Sequence, residues 1–453
     1  MITGLIKKAK SLLKRGPRAS SVERAERAEP QRLTRKEHDI SRKDISENTL
    51  KVLYRLKKHG YQAYLVGGGV RDLLLGKHPK DFDVVTNALP EEIRKVFANC
   101  RLIGRRFRLA HVHFGREIIE VATFRKYVEH AHEDVAHSEA GLILRDNVYG
   151  SLEEDAWRRD FTVNALYYNI ADFSVMDFTG GIQDLKAKRL RMIGDTQARY
   201  REDPVRMLRA IRFAAKLDFQ LSPELVKPIP ELKALITHVP SARLFEEMMK
   251  LFHSGAAQKA FELLIKYDLF GLIFPQTQAC LEDKTYPTQA LLEAVFANTD
   301  RRIAEDKTIT PVFILAALLW HPILKRAQAY VDDGMKLFPA RLKAIEECLS
   351  EQLKRISMPR RIAYGAREVW VLQQRMFNPH GKRAERLIQE PRFKAAFDFL
   401  LLRSQAGEPV SDLAHWWESY LQSDEGERKR LVRNISPSGK SKKQKKKHED
   451  KTA

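Results

Sequence analysis

The spacing of apolar positions divides the chain into an N-terminal part of short mixed segments and a longer part of helical periodicity. Residues 61–66 (YQAYLV) and 117–123 (EIIEVAT) have the apolar, β-branched and aromatic composition of strands, and a helical segment at 90–99 lies between them. After Asp184 the apolar residues recur at helical spacing almost throughout, for example along 242–253 (ARLFEEMMKLFH). The pattern predicts an α+β chain, in which a domain of strands and helices precedes helical domains.

One apolar run, 312–320 (VFILAALLW), stands out in the helical part. It is less than half as long as the ~20 residues that cross a bilayer, so we expect a buried helix that His321 and Pro322 close. Buried packing is also expected for Trp416 and Trp417. No spacing typical of zinc sites links the three cysteines, which are Cys100, Cys280 and Cys348. Since no secretory signal pattern is present either, we expect reduced thiols and a cytoplasmic location.

The chain carries 80 lysine and arginine residues against 59 aspartate and glutamate residues, a formal net charge of +21. Such a charge favours polyanions, so long RNA is a better partner than a small acidic metabolite. Residues 436–453 lack apolar periodicity and are expected to form a disordered, RNA-tethering tail. Its phosphate-contacting lysines are predicted to be Lys442, Lys443, Lys445, Lys446 and Lys447. Residues 1–15 (MITGLIKKAKSLLKR) predict a basic amphipathic helix for RNA, a protein or peripheral contact with an anionic membrane.

Asp81 and Asp83 are the first candidate catalytic residues. Side chains two apart on a strand point the same way, so both carboxylates reach one spot. Adjacent carboxylates repel each other unless a cation lies between them, and Mg²⁺ is commonly held by one or two carboxylates together with substrate phosphates. The spacing therefore predicts a metal site for phosphoryl chemistry, and Glu120, on another predicted strand, is a candidate third ligand.

Gly68 and Gly69, the last two of three consecutive glycines, follow the first predicted strand and precede a helix expected to begin near Val70. Backbone N–H groups approach phosphates closely at glycines, and the N-terminal end of a helix favours anions. Arg71 adds a cation for the same triphosphate. The segment is not a Walker A loop, because His78 stands where Ser or Thr is required, and it lacks the GxGxxG dinucleotide pattern.

The stretch 65–88 (LVGGGVRDLLLGKHPKDFDVVTNA) resembles the signature of the class II tRNA nucleotidyltransferase and bacterial poly(A) polymerase family, within the DNA-polymerase-β-like nucleotidyltransferases. Three further segments match that family in order, namely 158–165 (RRDFTVNA), 177–181 (DFTGG) and 201–206 (REDPVR). The resemblance covers about residues 45–275. It implies a nucleotidyltransferase head with a mixed sheet and helices, followed by all-α neck, body and leg domains.

These observations give a prediction of five segments. They are a basic, flexible extension (1–44), a catalytic head (45–184), a helical neck for nucleotide base and RNA (185–275), a helical RNA-binding body (276–432) and a disordered lysine-rich tail (433–453).

Asp160 is a second candidate for the third carboxylate. A helix that starts here would carry Asp160 and Asn164 on one face, and the alternative is an ordinary acidic helix start. The resemblance implies that Asp160 is a functional carboxylate and that Arg159 and Asn164 contact the nucleotide. It ranks Asp160 before Glu120, but the sequence leaves their order open.

Asp203 and Arg206 are three residues apart on a helix that Pro204 is suited to start. A carboxylate that accepts from an exocyclic amine, beside a guanidinium that donates to a ring nitrogen, matches the Watson–Crick edge of adenine. In the resembling family this motif reads the incoming base, so both residues are predicted to bind the nucleotide.

The segment 102–111 (LIGRRFRLAH) bears on which member of the family this is. It places Arg105, Arg106 and Arg108 around Phe107 and is similar to the sequence that marks bacterial poly(A) polymerases. The three arginines are predicted to bind RNA, and an ordinary basic hairpin is the alternative.

We therefore predict a template-independent polymerase that transfers AMP from ATP to RNA 3′ ends, with two Mg²⁺ ions that Mn²⁺ can replace. RNA processing and decay are the expected context, with RNA-decay proteins as partners. A CCA-adding tRNA nucleotidyltransferase is the first alternative. A non-catalytic RNA-binding protein is the second, and the intact Asp81 and Asp83 argue against it.

Overall fold

The computed structural model describes most of the chain. The described residues are 30–104, 108–126, 135–137, 143–146 and 148–434, and only the backbone is described at 135–137 and 143–146. They form two compact units. Apart from short exchanged segments, the first unit extends to Ala187 and the second begins at Asp195. The further division of the helical part into neck and body stays a prediction.

A mixed eight-stranded sheet is the centre of the first unit. The strands of this unit are β1 (Gln31–Leu33), β2 (Ala63–Val66), β3 (Asp83–Thr86), β4 (Cys100–Ile103), β5 (Leu109–Phe114), β6 (Glu117–Thr123), β7 (Val135–His137), β8 (Ile143–Asp146), β9 (Leu166–Asn169) and β10 (Val175–Asp177). The order in the sheet is β1-β10-β9-β2-β3-β6-β5-β4, and β7 pairs with β8 separately. The β3–β6 pair is parallel, whereas the other pairs of the sheet are antiparallel.

Five helices accompany this sheet. They are α1 (Glu47–Lys58), α2 (Gly68–Leu74), α3 (Pro90–Val96), α4 (Leu152–Arg158) and α5 (Gly181–Lys186). β6 has the predicted bounds, β2 starts two residues later than predicted, α2 starts at Gly68 rather than near Val70, and α3 ends before Asn99. Aromatic and β-branched side chains build the core, including Tyr64, Val85, Phe124 and Tyr167. The strand and helix propensities therefore agree with the packing.

The second unit is helical apart from two paired two-residue strands, β11 (Arg189–Leu190) and β12 (Gln220–Leu221). Its helices are α6 (Thr196–Glu202), α7 (Val205–Leu217), α8 (Pro223–Val226), α9 (Ile229–Leu232), α10 (Ser241–Phe252), α11 (Ala257–Lys266), α12 (Phe270–Ile273), α13 (Pro275–Asp283), α14 (Thr288–Ala304), α15 (Pro311–Asp332), α16 (Leu337–Arg355), α17 (Arg360–Arg375), α18 (Arg383–Ile388), α19 (Phe393–Gln405), α20 (Ser411–Gln422) and α21 (Glu425–Arg433). α10 lies one residue before its predicted bounds. The predicted succession of a mixed domain and helical domains is confirmed.

The predicted end of α15 is wrong, because the helix continues through Pro322 to Asp332. Proline removes one backbone donor, but Trp320 and His321 are buried and both contact the Glu408 carboxylate, at 3.0 Å in each case. This packing outweighs the local cost of the proline. Within the described residues, every helix is too short or too polar to span a membrane. The three cysteines are buried free thiols.

Candidate active site

Asp83 is the first residue of β3 and Asp81 lies two residues before it, with both side chains exposed and Phe82 between them buried. This alternation is the one that the spacing predicts. Gly69 packs against the same segment, since a Cβ on Gly69 would lie 3.2 Å from the Phe82 ring and 3.5 Å from the Asp81 carbonyl oxygen. The missing side chain lets α2 approach the carboxylates, a role of Gly69 that sequence reasoning missed.

Glu120 lies directly opposite Asp83 across the parallel β3–β6 pair. On its other side, Glu120 faces His111 of β5, with Nε2 and Oε1 3.5 Å apart. Solvent reaches Asp83, yet partial burial raises its pKa, and the charges of Glu120 and Asp81 raise it further while Arg159 opposes them. The carboxylate edge, which is the place where β3 begins beside β6 inside the sheet, therefore gathers acidic groups whose mutual repulsion the surrounding protein only partly relieves.

No three histidine, cysteine, aspartate or glutamate side chains in the described residues are placed to enclose a metal ion by themselves. Two hard oxygen donors from Asp81 and Asp83, with Glu120 beside them, nevertheless fit a cation that takes its remaining ligands from substrate phosphates and water. Burial and the charges of Glu120 and Asp81 raise the pKa of Asp83, and a nearby cation would oppose these effects because it stabilises the ionised carboxylate.

The helix predicted to start at Asp160 is wrong, because α4 ends at Arg158 and a single 3-10 turn, Thr162–Asn164, follows. Asp160 lies in the bend between them, partly buried, and its carboxylate accepts a hydrogen bond from the Phe161 N–H at 2.8 Å. Because Ser151 and Glu154 form a capping box at the start of α4, the helical signal belongs to the residues before the motif. The role of Asp160 as a third carboxylate stays a prediction.

Asp155 of α4 is a buried carboxylate that sequence reasoning missed, with 1% of its surface exposed. Its oxygens accept from Arg158 Nε at 3.1 Å, from Arg159 Nη2 at 2.9 Å and from the Tyr167 hydroxyl at 2.9 Å. Burial alone would raise the pKa of Asp155, but Arg159 and Arg158 outweigh it and lower the pKa to about 2. The spacing of three and four residues along one helix was the signal that could have revealed this network.

This network fixes Arg159 beside the glycine segment and the carboxylate edge. A Cβ on Gly67 would lie 3.8 Å from Arg159 Nη1 and 4.0 Å from Asp83 Oδ2, and Gly67 has a positive φ of 74°. Glycine is favoured at such a φ. Three parts of the predicted site, namely the glycine segment, Arg159 and Asp83, are thus brought together within the first unit.

Arg71 is buried, with 2% of its surface exposed, and its guanidinium donates to Asn164 Oδ1 at 2.5 Å and to Asp72 Oδ1 at 2.8 Å. A Cβ on Gly68 would lie 3.4 Å from Arg71 Nη2. Arg71 therefore links α2 to the 3-10 turn that carries Asn164. The structure brings these predicted nucleotide-binding residues together and gives Arg71 a positioning role.

The third motif, 177–181 (DFTGG), supports the same turn. The Asp177 carboxylate accepts from the backbone N–H groups of Thr179, Gly180 and Ile182 at 2.9, 3.0 and 2.8 Å, and so caps α5. A Cβ on Gly181 would lie 2.3 Å from the Thr162 carbonyl oxygen, a distance that no side chain can occupy. The motif therefore lets α5 pack directly on the turn that holds Asn164.

Asp203 and Arg206 lie in the second unit, at the junction of α6 and α7, and both belong to ion pairs. Asp203 accepts from Arg243, with Nη1–Oδ1 and Nη2–Oδ2 distances of 2.8 and 2.6 Å. Arg206 Nη1 donates to Glu202 Oε2 at 2.5 Å and to the Arg199 carbonyl at 2.8 Å. Asp203 keeps lone pairs after its bidentate contact with Arg243, so its carboxylate can still accept a hydrogen bond from a base. Base reading by Asp203 and Arg206 stays a prediction. Arg243 was not foreseen.

The basic segment 102–111 contributes to β4 and β5, which pair antiparallel as in the hairpin named as the alternative. Arg108 forms an ion pair with Glu91 of α3. Arg105 and Arg106 lie outside the described residues, as do the tail lysines from Lys442 to Lys447. Their predicted RNA contacts stay predictions.

Comparison with known protein families assigns most of the chain. The family described as "Poly A polymerase head domain" matches residues 63–191, which include Asp81 and Asp83. "Probable RNA and SrmB- binding site of polymerase A" matches residues 218–281, and "Polymerase A arginine-rich C-terminus" matches 333–451.

Relatives of known function extend the match over nearly the whole chain. Poly(A) polymerase I of Salmonella typhimurium is 50% identical over 89% of this chain and 88% of its own length. The enzyme of Haemophilus influenzae is 43% identical over 92% and 93%. A CCA-adding enzyme of Bacillus licheniformis is 37% identical, but over only 50% of this chain and 55% of its own. The predicted family and template-independent polyadenylation are confirmed, and CCA-adding enzymes are more distant.

The fold also resembles that of solved nucleotidyltransferase structures. A solved tRNA nucleotidyltransferase, in complex with a primer tRNA and an incoming ATP analog, superposes with a TM-score of 0.57 at 24% identity, over 84% of this chain and 99% of that one. The likeness confirms the predicted fold class, a nucleotidyltransferase head followed by a helical body. The chain belongs to the poly(A) polymerase family, whose nucleotidyltransferase chemistry uses a nucleotide substrate and a divalent metal ion.

Proposed function

We propose that the protein transfers AMP from ATP to the 3′-hydroxyl of RNA without a template and releases pyrophosphate. Membership of the poly(A) polymerase family supports the polynucleotide adenylyltransferase activity. In the structure, the supporting observation is the set of acidic side chains where β3 begins. Asp81 and Asp83 are exposed there, and Glu120 of β6 lies opposite Asp83. Phosphoryl transfer depends mainly on positioning and on charge stabilisation, which is what the carboxylate edge supplies.

Asp81 and Asp83 are the residues that would hold the metal, with Glu120 as the nearest further carboxylate. Bound Mg²⁺, two ions in our proposal and replaceable by Mn²⁺, would acidify the attacking hydroxyl and neutralise charge on the triphosphate. Asp160 is the alternative third carboxylate. The raised pKa of Asp83 supports the assignment, because the folded protein holds these charges together at a cost that a cation removes.

The triphosphate is assigned to the glycine segment and to Arg159. Gly68 is partly exposed, whereas Gly69 is buried against Phe82, and Arg159 Nη1 lies beside Gly67 on the side of Asp83. The Asp155 network holds the Arg159 side chain in one orientation, so little ordering remains when the substrate binds. Arg71 and Asn164 act together, since their hydrogen bond fixes the turn next to the phosphates.

Adenine selection is assigned to Asp203 and Arg206. The bidentate contact with Arg243 holds the Asp203 carboxylate in a fixed orientation. RNA binding is assigned to the region that matches the RNA-binding family, residues 218–281, and to the arginine-rich C-terminal region. The substrates we propose are 3′ ends of mRNA and other transcripts in the cytoplasm, and the product tails would promote RNA processing and decay.

The test is to incubate the protein with Mg²⁺ and a generic RNA primer and to supply ATP, CTP, GTP or UTP singly. We expect long product ladders with ATP alone and none after EDTA treatment. A tRNA that lacks its CCA end serves as a second primer. Addition confined to that tRNA, with CTP required before ATP, would contradict the proposal and establish CCA addition.

A further inference from the structure

A small polar pocket lies in the second unit, within the two regions to which RNA binding is assigned, and no individual residue of it has been given a role. Its volume is about 260 Å³, and its walls come from the start of α13 and from the last turns of α16. The lining residues are Pro275, Gln276, Glu351, Gln352, Lys354 and Arg355.

Two glutamines cross-link the walls of this pocket reciprocally. Gln276 Nε2 donates to the Cys348 carbonyl at 3.0 Å, and Gln352 Nε2 donates to the Ile273 carbonyl at 3.0 Å. Because a carbonyl accepts and cannot donate, these contacts fix which end of each amide is the oxygen. Both Oε1 atoms are buried and have no hydrogen-bond partner in the described part of the chain, and Gln352 is only 1% exposed. Two of the residues that line the pocket thus carry buried acceptors that the described part of the fold leaves without a partner.

The charged residues of the pocket leave an excess of cations. Glu351 is matched by Arg326 through two hydrogen bonds of 2.8 Å each. Lys354 is exposed and Arg355 partly exposed, and neither forms a hydrogen bond or ion pair within the residues that the structure describes. A ligand complementary to this pocket carries N–H donors for the amide oxygens and an anionic group for Lys354 and Arg355. The same two cations disfavour a metal ion.

A nucleotide of RNA has this combination. Its phosphate suits lysine and arginine, and the exocyclic amine of adenine offers two hydrogens, one for each glutamine oxygen. Uracil has a single ring N–H and no amine, so it satisfies one oxygen at most. Buried acceptors discriminate strongly in favour of a ligand that pairs with them, because a ligand without the donor leaves them unpaired.

We propose that this pocket binds one adenosine nucleotide of the RNA strand behind its 3′ end. The base amine lies at Gln276 and Gln352, and the phosphate lies at Lys354 and Arg355. The proposal rests on the proposed function, because polyadenylation places adenosines upstream of each new 3′ end. The pocket would then favour RNA that already carries a tail.

The test uses oligoribonucleotides of equal length that end in the same run of uridines and differ upstream. The upstream part is adenosine, uridine or purine riboside, which lacks the amine. We expect the full-length protein to bind the adenosine oligomer several-fold more tightly than the other two in fluorescence anisotropy. Gln352→Met and Gln276→Met should reduce that preference and keep the affinity for the uridine oligomer. Gln328→Met is the matched control, since Gln328 is exposed and donates only to Asp332 of its own helix.

Substitution of the cations gives an independent measurement that does not disturb the buried amides. Lys354→Gln with Arg355→Gln should weaken binding of all three oligomers and reduce the slope of log affinity against log salt by about 0.7, the value for one phosphate contact on a single strand. The preference for adenosine should persist.

Equal affinity of the wild-type protein for the adenosine and purine riboside oligomers would overturn the proposal, whatever the variants do. Primer extension with ATP by the same preparation separates this failure from a failure of the proposed function. If extension proceeds while the affinities are equal, the pocket assignment alone is wrong. If no extension occurs with ATP, polyadenylation is wrong and the pocket loses its basis.

Discussion

Two groups of carboxylates in the first unit differ in what balances their charge. At the carboxylate edge, partial burial together with Glu120 and Asp81 raises the pKa of Asp83, and Arg159 offsets this only in part. In α4, Asp155 is more deeply buried, yet its ion pairs with Arg159 and Arg158 lower its pKa to about 2. Burial acts in the same direction on both, so the difference comes from the cations that the protein supplies. The matched carboxylate holds the structure together, and the partly matched group is the one to which we assign the metal ion.

The largest effect is expected at the edge. Asp81→Ala or Asp83→Ala should reduce AMP incorporation by roughly three orders of magnitude or more, because charge stabilisation at the reacting phosphate is lost. RNA affinity should remain nearly unchanged. Single-turnover primer extension and anisotropy measure the two quantities, and Asp332→Ala, at an exposed helical position, is the control. A wild-type rate in either variant would sink the metal assignment.

The next effect concerns Asp155, whose removal takes away the carboxylate partner of the partly buried Arg159. Asp155→Ala should destabilise the protein by about 3–5 kcal/mol, as measured by urea unfolding. The folded pKa of Asp155 lies below the usual 3.8, so its stabilising contribution is present above about pH 4 and is lost as the pH falls towards 2. The difference in the free energy of unfolding between wild type and variant should therefore become smaller in acid. A difference that is independent of pH over this range would contradict the ion-pair explanation.

A smaller effect of opposite sign is expected for Asp83→Asn. A raised folded pKa means that ionised Asp83 destabilises the metal-free protein at neutral pH and that this cost disappears as the carboxyl is protonated in acid. In EDTA the variant should thus melt slightly higher than the wild type at pH 7, and the difference should shrink at low pH. Added Mg²⁺ should stabilise the wild type and have little effect on the variant. Scanning calorimetry with and without Mg²⁺ decides this, and equal Mg²⁺ responses would count against the site.

An exposed ion pair should give the smallest effect. Arg367 Nε donates to Glu346 Oε1 at 2.6 Å on the surface of the second unit, where both side chains are more than a third exposed. Glu346→Gln should change the free energy of unfolding by less than about 1 kcal/mol, because solvent screens the pair. A loss of stability similar to that of Asp155→Ala would show that burial does not distinguish strongly stabilising ion pairs from weakly stabilising ones.

The sequence predicts the edge carboxylates well and their surroundings less well. The two-residue period correctly gave Asp81 and Asp83 the same exposed side, opposite the buried Phe82. The predicted bounds of β6 were also correct. The parallel register that sets Glu120 opposite Asp83 could not be read from the sequence, because pairing between distant strands is decided by tertiary packing.

The errors have identifiable causes. The helix predicted at Asp160 failed because the capping box starts the helix at Leu152, and α4 ends at Arg158, the first residue of the motif. The predicted end of α15 failed because buried contacts of Trp320 and His321 override the proline at 322. In the first case the helical signal belonged to residues that precede Asp160, and in the second a local signal was outweighed by a partner far along the chain.

The contact of Gly181 with the Thr162 carbonyl has a consequence for how this protein can vary. Because Gly181 has no side chain, α5 can lie close to the turn that carries Asn164, and Asn164 accepts a hydrogen bond from Arg71. Even a methyl group there would displace that turn, although it would touch no substrate and alter no charge. Activity should therefore be sensitive to volume at a position that a survey of chemically reactive residues would pass over.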